Sequence, residues 1–171
     1  LRVAICLCHA AQLQGRPEKP RRYRCEDAID QMGLPIRVET RSGDTSSDRK
    51  RRQREKPPHV LLTTPESLSL LLSYPESFEI FASVRRIVID EIHAFATGKR
   101  GDLLALCLAR LQAIAPEMQR AALSATVANE EGFRAWLAPW GEIDRVAVVQ
   151  GEPGAPPEVE ILLPDENRGP G

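Results

Sequence analysis

The stretch RIVIDEIH at residues 86–93 decides the fold. Its centre, residues 87–89, is a short β-branched run, which is typical of a strand buried on both faces of a parallel sheet. The run stops at two adjacent carboxylates, Asp90 and Glu91. Because ligands bind at the carboxyl ends of strands in open α/β sheets, this pair is a candidate site for Mg²⁺ beside nucleotide phosphates. The alternative is an acidic pair that only ends a strand in solvent.

The composition indicates one ordinary globular domain, with or without a tail. The chain has 171 residues, of which 42% are hydrophobic, a net charge of −1 and a pI of about 6.4. A chain this close to neutral does not bind nucleic acid through its overall charge, so any such binding must come from local clusters. No apolar run reaches membrane-spanning length, and no signal peptide is evident. The first residue is Leu1 rather than Met, which favours a fragment.

The four cysteines predict neither a zinc site nor a disulfide framework. Cys6 and Cys8 are separated by one residue, whereas a zinc ribbon needs a gap of two to four, and no second pair follows. We therefore expect reduced thiols in a cytoplasmic protein.

Strand and helix patterns alternate along the chain. Strands are predicted at residues 3–7, 36–40, 59–63, 87–89, 119–123 and 145–149, and a further strand is possible at 159–163. Helices are predicted at residues 26–32, 46–56, 65–72, 76–82, 102–115 and 129–137. This order favours a doubly wound α/β fold, with a parallel sheet and helices on both faces. Thr64, Asp90 and Ser124 would then lie at the same carboxyl edge.

Three further stretches have both a structural and a functional interpretation. The turn SGDT at 42–45, where Gly43 permits a positive φ, precedes a helix with six basic residues. That helix is either a solvated charged face or a phosphate-binding one. Thr64 and Pro65 suit the N-cap and N1 positions of a helix, which can also grip a phosphate. Residues 94–101 are predicted to be a mobile loop, with Asp102 capping the next helix. Phe78, Phe81, Trp136 and Trp140 are interpreted as packing residues.

Taken together, these motifs resemble the first RecA-like domain of a superfamily 2 DExH-box helicase. DEIH at 90–93 resembles motif II, SAT at 124–126 motif III, TTPES at 63–67 motif Ib, and SGDT at 42–45 the preceding strand-contacting loop. The stretches at 33–40, 63–72 and 90–93 resemble the Lhr-type helicases, and those at 99–106 and 153–159 resemble the ligase-associated subgroup within them. The resemblance covers about residues 26–165 and implies a P-loop NTPase-type parallel sheet that here lacks its phosphate-loop strand and helix.

The resemblance implies a role for each matching residue. Asp90 would hold the Mg²⁺ of Mg-ATP, and Glu91 would orient or deprotonate the hydrolytic water. His93 would link the nucleotide site to motif III, where Ser124 and Thr126 would couple hydrolysis to strand movement. The residues implied to follow the nucleic-acid backbone are Gly43, Asp44, Thr45, Thr64, Pro65, Glu66, Ser67, Lys99 and Arg100.

The implied cofactors are therefore ATP and Mg²⁺, and the implied ligand is a single-stranded or tailed duplex nucleic acid, with DNA favoured. The family analogy also implies 3′ to 5′ movement, a role in DNA repair, and ligase or nuclease partners. A second RecA-like domain of the parent chain would complete the nucleotide site.

The departures from the family pattern define the alternatives. No Gly-x-x-x-x-Gly-Lys-Ser/Thr occurs in the chain, and CHAAQL at 8–13 stands where a Ser-Pro-Leu-Lys-like motif is expected. The expected organisation is a poorly matching segment at 1–24, a partial helicase domain at 25–150, and a linker or the start of a further segment at 151–171. We expect these residues alone to be inactive as an ATPase. The rival hypotheses are a non-catalytic RecA-like binding module, a decayed helicase gene product and, least favoured, a metal-dependent hydrolase.

Overall fold

The computed structural model describes residues 3–7, 31, 33, 35–95, 98–125 and 129–151. Three sequence predictions fall wholly or mostly outside these residues. They are the helix at 26–32, the coupling role of Thr126 and the strand at 159–163. Gln31 is helical, and Gly33 has a φ of 62°, which agrees with a glycine that ends a helix.

The described strands form one parallel sheet of five strands. They are β1 (Val3–Leu7), β2 (Val38–Arg41), β3 (Val60–Thr63), β4 (Val84–Ile89) and β5 (Gln119–Ala122). Their order across the sheet is β2-β3-β1-β4-β5, and every neighbouring pair is parallel. The predicted α/β class with a RecA-like parallel sheet is confirmed.

The strand ends fall in one row at the carboxyl edge of the sheet. Arg41 pairs with Thr63, Thr63 with Leu7, Leu7 with Ile89, and Ile89 with Ala122. Each is the last residue of its strand. The residues that follow these strands therefore leave the sheet at the same level, which is the arrangement that the sequence predicted for its motifs.

The described helices are α1 (Ser47–Glu55), α2 (Pro65–Ser73), α3 (Ser77–Phe81), α4 (Lys99–Ile114) and α5 (Glu130–Leu137). Leu68 and Leu72 of α2 pack with Leu104 and Leu108 of α4 over the sheet, where Ile87 of β4 is fully buried. Burial of this continuous apolar cluster is the main favourable term in the stability of the fold.

Three sequence predictions are wrong for the same reason. The segment predicted as a strand at 145–149 starts at the end of a short 3₁₀ helix, Ile143–Arg145, and then has no regular structure. Val149 is 92% exposed, and Phe78 and Trp140, predicted as packing residues, are 63% and 79% exposed. A strand needs a hydrogen-bonded neighbour and an apolar side chain needs a covering element, and local propensity supplies neither.

Helix α4 begins three residues earlier than predicted, so Lys99 and Arg100 are helical rather than part of a mobile loop. Gly98 precedes it with a φ of 94°, a conformation that favours glycine. Residues 92–95 form a 3₁₀ helix directly against this start. A Cβ added to Gly101 would lie 2.1 Å from the carbonyl oxygen of Phe95, so only glycine fits the helix at this point.

We predict that Gly101→Ala destabilises the protein by about 1–3 kcal/mol, because the new methyl group overlaps a backbone atom that cannot rotate away. The strain exceeds the helix propensity that alanine adds, about 1 kcal/mol. Urea unfolding followed by circular dichroism measures the change. Gly151→Ala is the matched control, since a Cβ there meets nothing within 4 Å. Equal midpoints for the two variants would contradict the proposed close contact.

Candidate functional site

The acidic pair lies between two neighbouring strands at the carboxyl edge. The Asp90 N–H donates to the Leu7 carbonyl over 2.9 Å, which extends the pairing of β4 with β1. On the β5 side, the Leu123 N–H donates to the Ile89 carbonyl over 2.8 Å, and the Ile92 N–H donates to the Leu123 carbonyl over 3.0 Å. These hydrogen bonds fix the backbone of Asp90 at the carboxyl end of β4, and the residue is only 2% exposed.

Glu91 lies in a turn that redirects the chain immediately after Asp90. Its φ is 52°, which is uncommon for a residue with a side chain and marks a locally strained backbone. The Ala94 N–H donates to the Glu91 carbonyl over 2.8 Å, which helps to close this turn. The Glu91 carboxylate is partly open to solvent, whereas Asp90 is buried. Two adjacent acids thus have different environments, as different chemical roles would require.

His93 joins the loop after β4 to the loop after β5. Its Nδ1 lies 2.9 Å from the Ser124 hydroxyl oxygen and 3.4 Å from a Glu91 carboxylate oxygen. The imidazole therefore contacts both an acid of the DEIH stretch and the serine of the SAT stretch. The roles assigned to these residues remain predictions, and Thr126 lies outside the described residues.

The TTPES stretch forms a capped helix start. The Thr64 hydroxyl accepts a hydrogen bond from the Ser67 N–H over 3.3 Å, and Pro65 occupies the first turn. Thr64 and Ser67 are both buried. The structural interpretation of this stretch is therefore confirmed, and any contact with a phosphate would use its backbone N–H groups rather than these two side chains.

Glu66 and Arg100, both predicted to contact nucleic acid, bind each other. Arg100 Nε donates to Glu66 Oε1 over 2.6 Å and joins the start of α4 to the start of α2. Burial by itself raises the pKa of Glu66, but hydrogen bonds from Arg100, a backbone N–H and Thr64 together hold that pKa below its usual value. Lys99 remains exposed beside this pair.

The SGDT turn is closed by its own side chain. The Ser42 N–H donates to the Thr45 hydroxyl over 2.9 Å, and the Thr45 N–H donates to the Ser42 carbonyl over 3.3 Å. Gly43 does not adopt the positive φ that a glycine permits. A Cβ there would meet nothing within 4 Å, and Gly43 and Asp44 are both exposed at the tip. Neither turn geometry nor packing therefore requires a glycine at this position.

The structure brings the predicted residues to one edge but divides them into two groups. Asp90, Glu91, His93 and Ser124 lie at the ends of β4 and β5, whereas the SGDT turn and TTPES helix start follow β2 and β3. Strand β1 separates the groups. Lys99 and Arg100 belong with the second group through Glu66.

Sequence analysis missed a set of buried polar residues behind the SGDT turn. They are Glu39, Arg41, Gln53 and Thr63. The available signal is the alternation of charged residues along β2, which lies at the edge of the sheet. Glu39 and Arg41 face helix α1, where Gln53 hydrogen-bonds to both.

Other site types receive no support from the described part of the chain. Within it, no group of three or more histidine, cysteine, aspartate or glutamate side chains is arranged to hold a metal ion. Neither Cys6 nor Cys107 forms a disulfide bond with a described cysteine, and burial raises the pKa of Cys107. None of the helices in the described ranges combines the length and apolar character needed to span a membrane.

Known proteins of one family match the sequence that forms this arrangement. Residues 23–132 match the DEAD/DEAH box helicase family. The chain is 49% identical over 94 residues to the ATP-dependent helicase Lhr-Core of Methanothermobacter thermautotrophicus, covering 55% of this chain and 11% of that protein. It is 38% identical over 148 residues to the Lhr helicase/uracil glycosylase of Escherichia coli, covering 86% of this chain and 9% of that protein.

Solved structures agree with the sequence relatives. The Mycobacterium smegmatis helicase Lhr, bound to single-stranded DNA and AMP-PNP, superposes with a TM-score of 0.68 at 36% identity. The match covers 82% of this chain and 19% of that structure. The chain thus corresponds to a small part of each of these relatives. The family match at residues 23–132 contains both groups of edge residues.

We predict that Arg100→Met raises the pKa of Glu66, because burial then acts without the opposing hydrogen bond from the guanidinium. In the wild type the lowered pKa stabilises the fold above the ordinary pKa of glutamate, and this contribution is lost as pH falls through the folded value. The variant should lose that dependence. Carboxyl NMR titration measures the pKa directly, with the exposed Glu79 as internal control. An unchanged Glu66 titration would show that Arg100 does not set its charge state.

Proposed function

The chain belongs to the DEAD/DEAH box helicase family, and we propose that it carries the hydrolysis acids and part of the nucleic-acid-binding edge of an ATP-dependent helicase. The observation that supports this most directly is the shared row of strand ends, which brings the DEIH and SAT stretches to the same edge as the SGDT and TTPES stretches. The chain spans between 7% and 15% of the length of curated Lhr relatives, so the activity of the whole protein is itself a proposal.

Asp90 is the residue proposed to hold magnesium. Mg²⁺ is usually bound through one or two carboxylates together with substrate phosphates and water, rather than by a cage of protein ligands. One carboxylate fixed at a strand end, in described residues that contain no cluster of three ligands, fits that mode of binding. Mg-ATP, when bound, supplies the phosphoryl group that is transferred to water.

Glu91 is proposed to orient or deprotonate the attacking water. Its carboxylate is adjacent in sequence to Asp90 but partly open to solvent, so it can accept a proton from a water that Asp90 does not contact. The turn with positive φ at Glu91 separates the directions of the two side chains. This division of labour between adjacent acids follows the general pattern of phosphoryl transfer to water.

His93 is proposed to transmit the state of this site to the loop after β5. It lies within hydrogen-bond distance of Ser124 and close to Glu91. A change at Glu91 would therefore move the His93 ring and alter its hydrogen bond with Ser124. Thr126 is proposed to act with Ser124. Because only two loops are involved, the coupling requires no large rearrangement of the sheet.

The nucleic-acid ligand is proposed to be a single strand or a tailed DNA duplex that follows the SGDT turn and the TTPES helix start. The relative from Mycobacterium smegmatis was solved with single-stranded DNA, which supports DNA over RNA. Contacts from turns and helix starts reach the phosphate backbone, so binding should tolerate any sequence and weaken with salt. Movement from 3′ to 5′, ligase or nuclease repair partners and a cytoplasmic location follow from family analogy alone.

A second candidate function is a nucleic-acid-binding module without turnover. The observation that favours it is the absence of Gly-x-x-x-x-Gly-Lys-Ser/Thr from the sequence. ATP turnover needs such a phosphate loop and a second RecA-like wall, and these 171 residues contain neither. The two functions are separated by testing the full-length gene product.

We predict that Glu91→Gln in the full-length gene product lowers ATP turnover about 10²- to 10⁴-fold, because an amide cannot accept the proton of the attacking water. ATP binding should remain, since Asp90 is unchanged. Turnover is measured with a coupled phosphate-release assay and binding with a fluorescent ATP analogue. Glu117→Gln, at an exposed site after α4, is the control. Normal turnover in Glu91→Gln would remove Glu91 from this role, and a wild type without turnover would favour the binding module.

We also predict that Gly43→Ala weakens binding to a labelled dT oligonucleotide about fivefold, the loss of roughly one hydrogen bond, without changing stability. The methyl group has open space in the free protein, so it should clash only with a nucleic-acid backbone that approaches the turn closely. Fluorescence anisotropy gives the Kd, and Gly151→Ala serves as the control. Wild-type affinity in Gly43→Ala would exclude the turn tip from the interface.

A further inference from the structure

A buried polar cluster lies between β2 and α1, immediately behind the SGDT turn. Glu39, Arg41 and Gln53 form it, and Arg41 is only 3% exposed although it carries a full charge. We call these three residues the β2–α1 clamp. Burying a charge costs free energy unless the charge is paired and hydrogen-bonded. A cluster that buries charges is therefore expected to have a structural or functional role.

The clamp is internally satisfied. Arg41 Nη1 donates to the Lys50 carbonyl over 2.9 Å and lies 3.4 Å from Gln53 Oε1. Gln53 Nε2 donates to Glu39 Oε2 over 2.9 Å and to the Thr40 carbonyl over 3.1 Å. The amide of Gln53 therefore bonds to both charged residues and fixes α1 against β2.

The charge of Glu39 is balanced by cations on two elements. Arg37 Nε lies 3.6 Å from one of its carboxylate oxygens, and Arg49 Nε lies 3.6 Å from the other. Arg49 therefore ties the first half of α1 to β2, while Gln53 ties the second half. An apolar core at this position would give similar stability, but it would not fix the helix along the strand as directionally as hydrogen bonds do.

Two hydrogen bonds connect the clamp to the predicted strand-contacting loops. Lys50 Nζ donates to the Gly43 carbonyl over 2.8 Å, so the residue whose carbonyl holds Arg41 also holds the turn tip. The Thr63 hydroxyl donates to the Arg41 carbonyl over 2.9 Å. Thr63 directly precedes Thr64, the N-cap of α2, so this bond joins the end of β2 to the start of the TTPES loop.

We propose that Arg41, Lys50 and Gln53 are positioning residues for nucleic-acid binding, which hold the SGDT turn and, through Thr63, the TTPES helix start as one rigid unit. The inference rests on the proposed function, because it assigns a purpose to the geometry of that edge. Preorganised backbone groups bind without the cost of ordering them, so loss of a hydrogen bond that connects the clamp to either loop weakens binding although no phosphate contact is removed.

Lys50 differs from an ordinary phosphate-binding lysine in the group that its ammonium binds. A cation that neutralises a phosphate contributes about 0.7 to the slope of log K against log salt on a single strand. The Lys50 ammonium instead binds a carbonyl of its own chain. Arg41 is buried and cannot reach a ligand without unfolding the clamp. Both residues should therefore affect affinity without affecting the salt slope.

The test compares Lys50→Met with Arg52→Met in the 171-residue chain. Both variants remove one cation from α1, but the Arg52 side chain makes no hydrogen bond or ion pair with a described residue. Anisotropy titrations with a labelled dT oligonucleotide at several salt concentrations give the Kd and the slope. We expect Lys50→Met to weaken binding about fivefold with an unchanged slope, and Lys50→Arg, which keeps a donor, to restore binding. A slope reduced by about 0.7 in Lys50→Met would overturn the positioning role in favour of direct contact.

Thr63→Val tests the link between the loops independently. Valine keeps the branched shape of threonine and replaces the hydroxyl with a methyl group. We expect weaker binding with the wild-type slope, and a double variant with Lys50→Met that loses less than the sum of the two. Melting curves verify that each variant is folded. Wild-type affinity in both single variants would overturn the inference while leaving the proposed function intact. Absence of binding by the wild-type chain would overturn the proposed function itself.

Discussion

The parallel register of the five strands is the constraint on which the rest of the structure depends. It places the last residues of all five strands in one row, from Arg41 to Ala122, so that the SGDT, TTPES, DEIH and SAT stretches leave the sheet at the same edge. A slip of one residue in β4 would move Asp90 along its neighbours and exchange the buried and opposite faces of the strand. Burial of Ile87 and Ile89 in the main core prevents that slip. The position of the acidic pair is thus a consequence of core packing.

The polar side chains of the edge are mostly engaged with one another. Thr64 caps its own helix, Thr45 closes its own turn, and Glu66 is paired with Arg100. These contacts leave backbone at turns and helix starts as the surface available to the proposed ligand. Such a surface is preorganised, because the groups that shape it are fixed before binding. The same principle explains the buried charges behind the SGDT turn, which stabilise a particular geometry at a cost in desolvation.

A contiguous set of contacts joins the two groups of edge residues around β1. The 3₁₀ helix at 92–95 contains His93 and ends at Phe95, whose carbonyl lies against Gly101. Gly101 is adjacent to Arg100, which binds Glu66 at the start of α2. The DEIH and SAT stretches are therefore connected to the TTPES helix start through packed backbone and one ion pair. These are the contacts through which coupling between the two groups would act.

The sequence by itself determined the α/β class, the order of strands and helices, the acidic pair at the end of β4 and the family. These features depend on short-range patterns: apolar runs, helix caps, and motifs in a fixed order. Only the tertiary structure decided that Glu66 pairs with Arg100, that Glu39 and Arg41 are buried against α1, and that α4 begins at Lys99. It also left residues 146–150 without strand structure, as no described strand pairs with them. Each of these outcomes requires a partner distant in the chain, and no local pattern specifies which surface will cover a side chain or complete a strand.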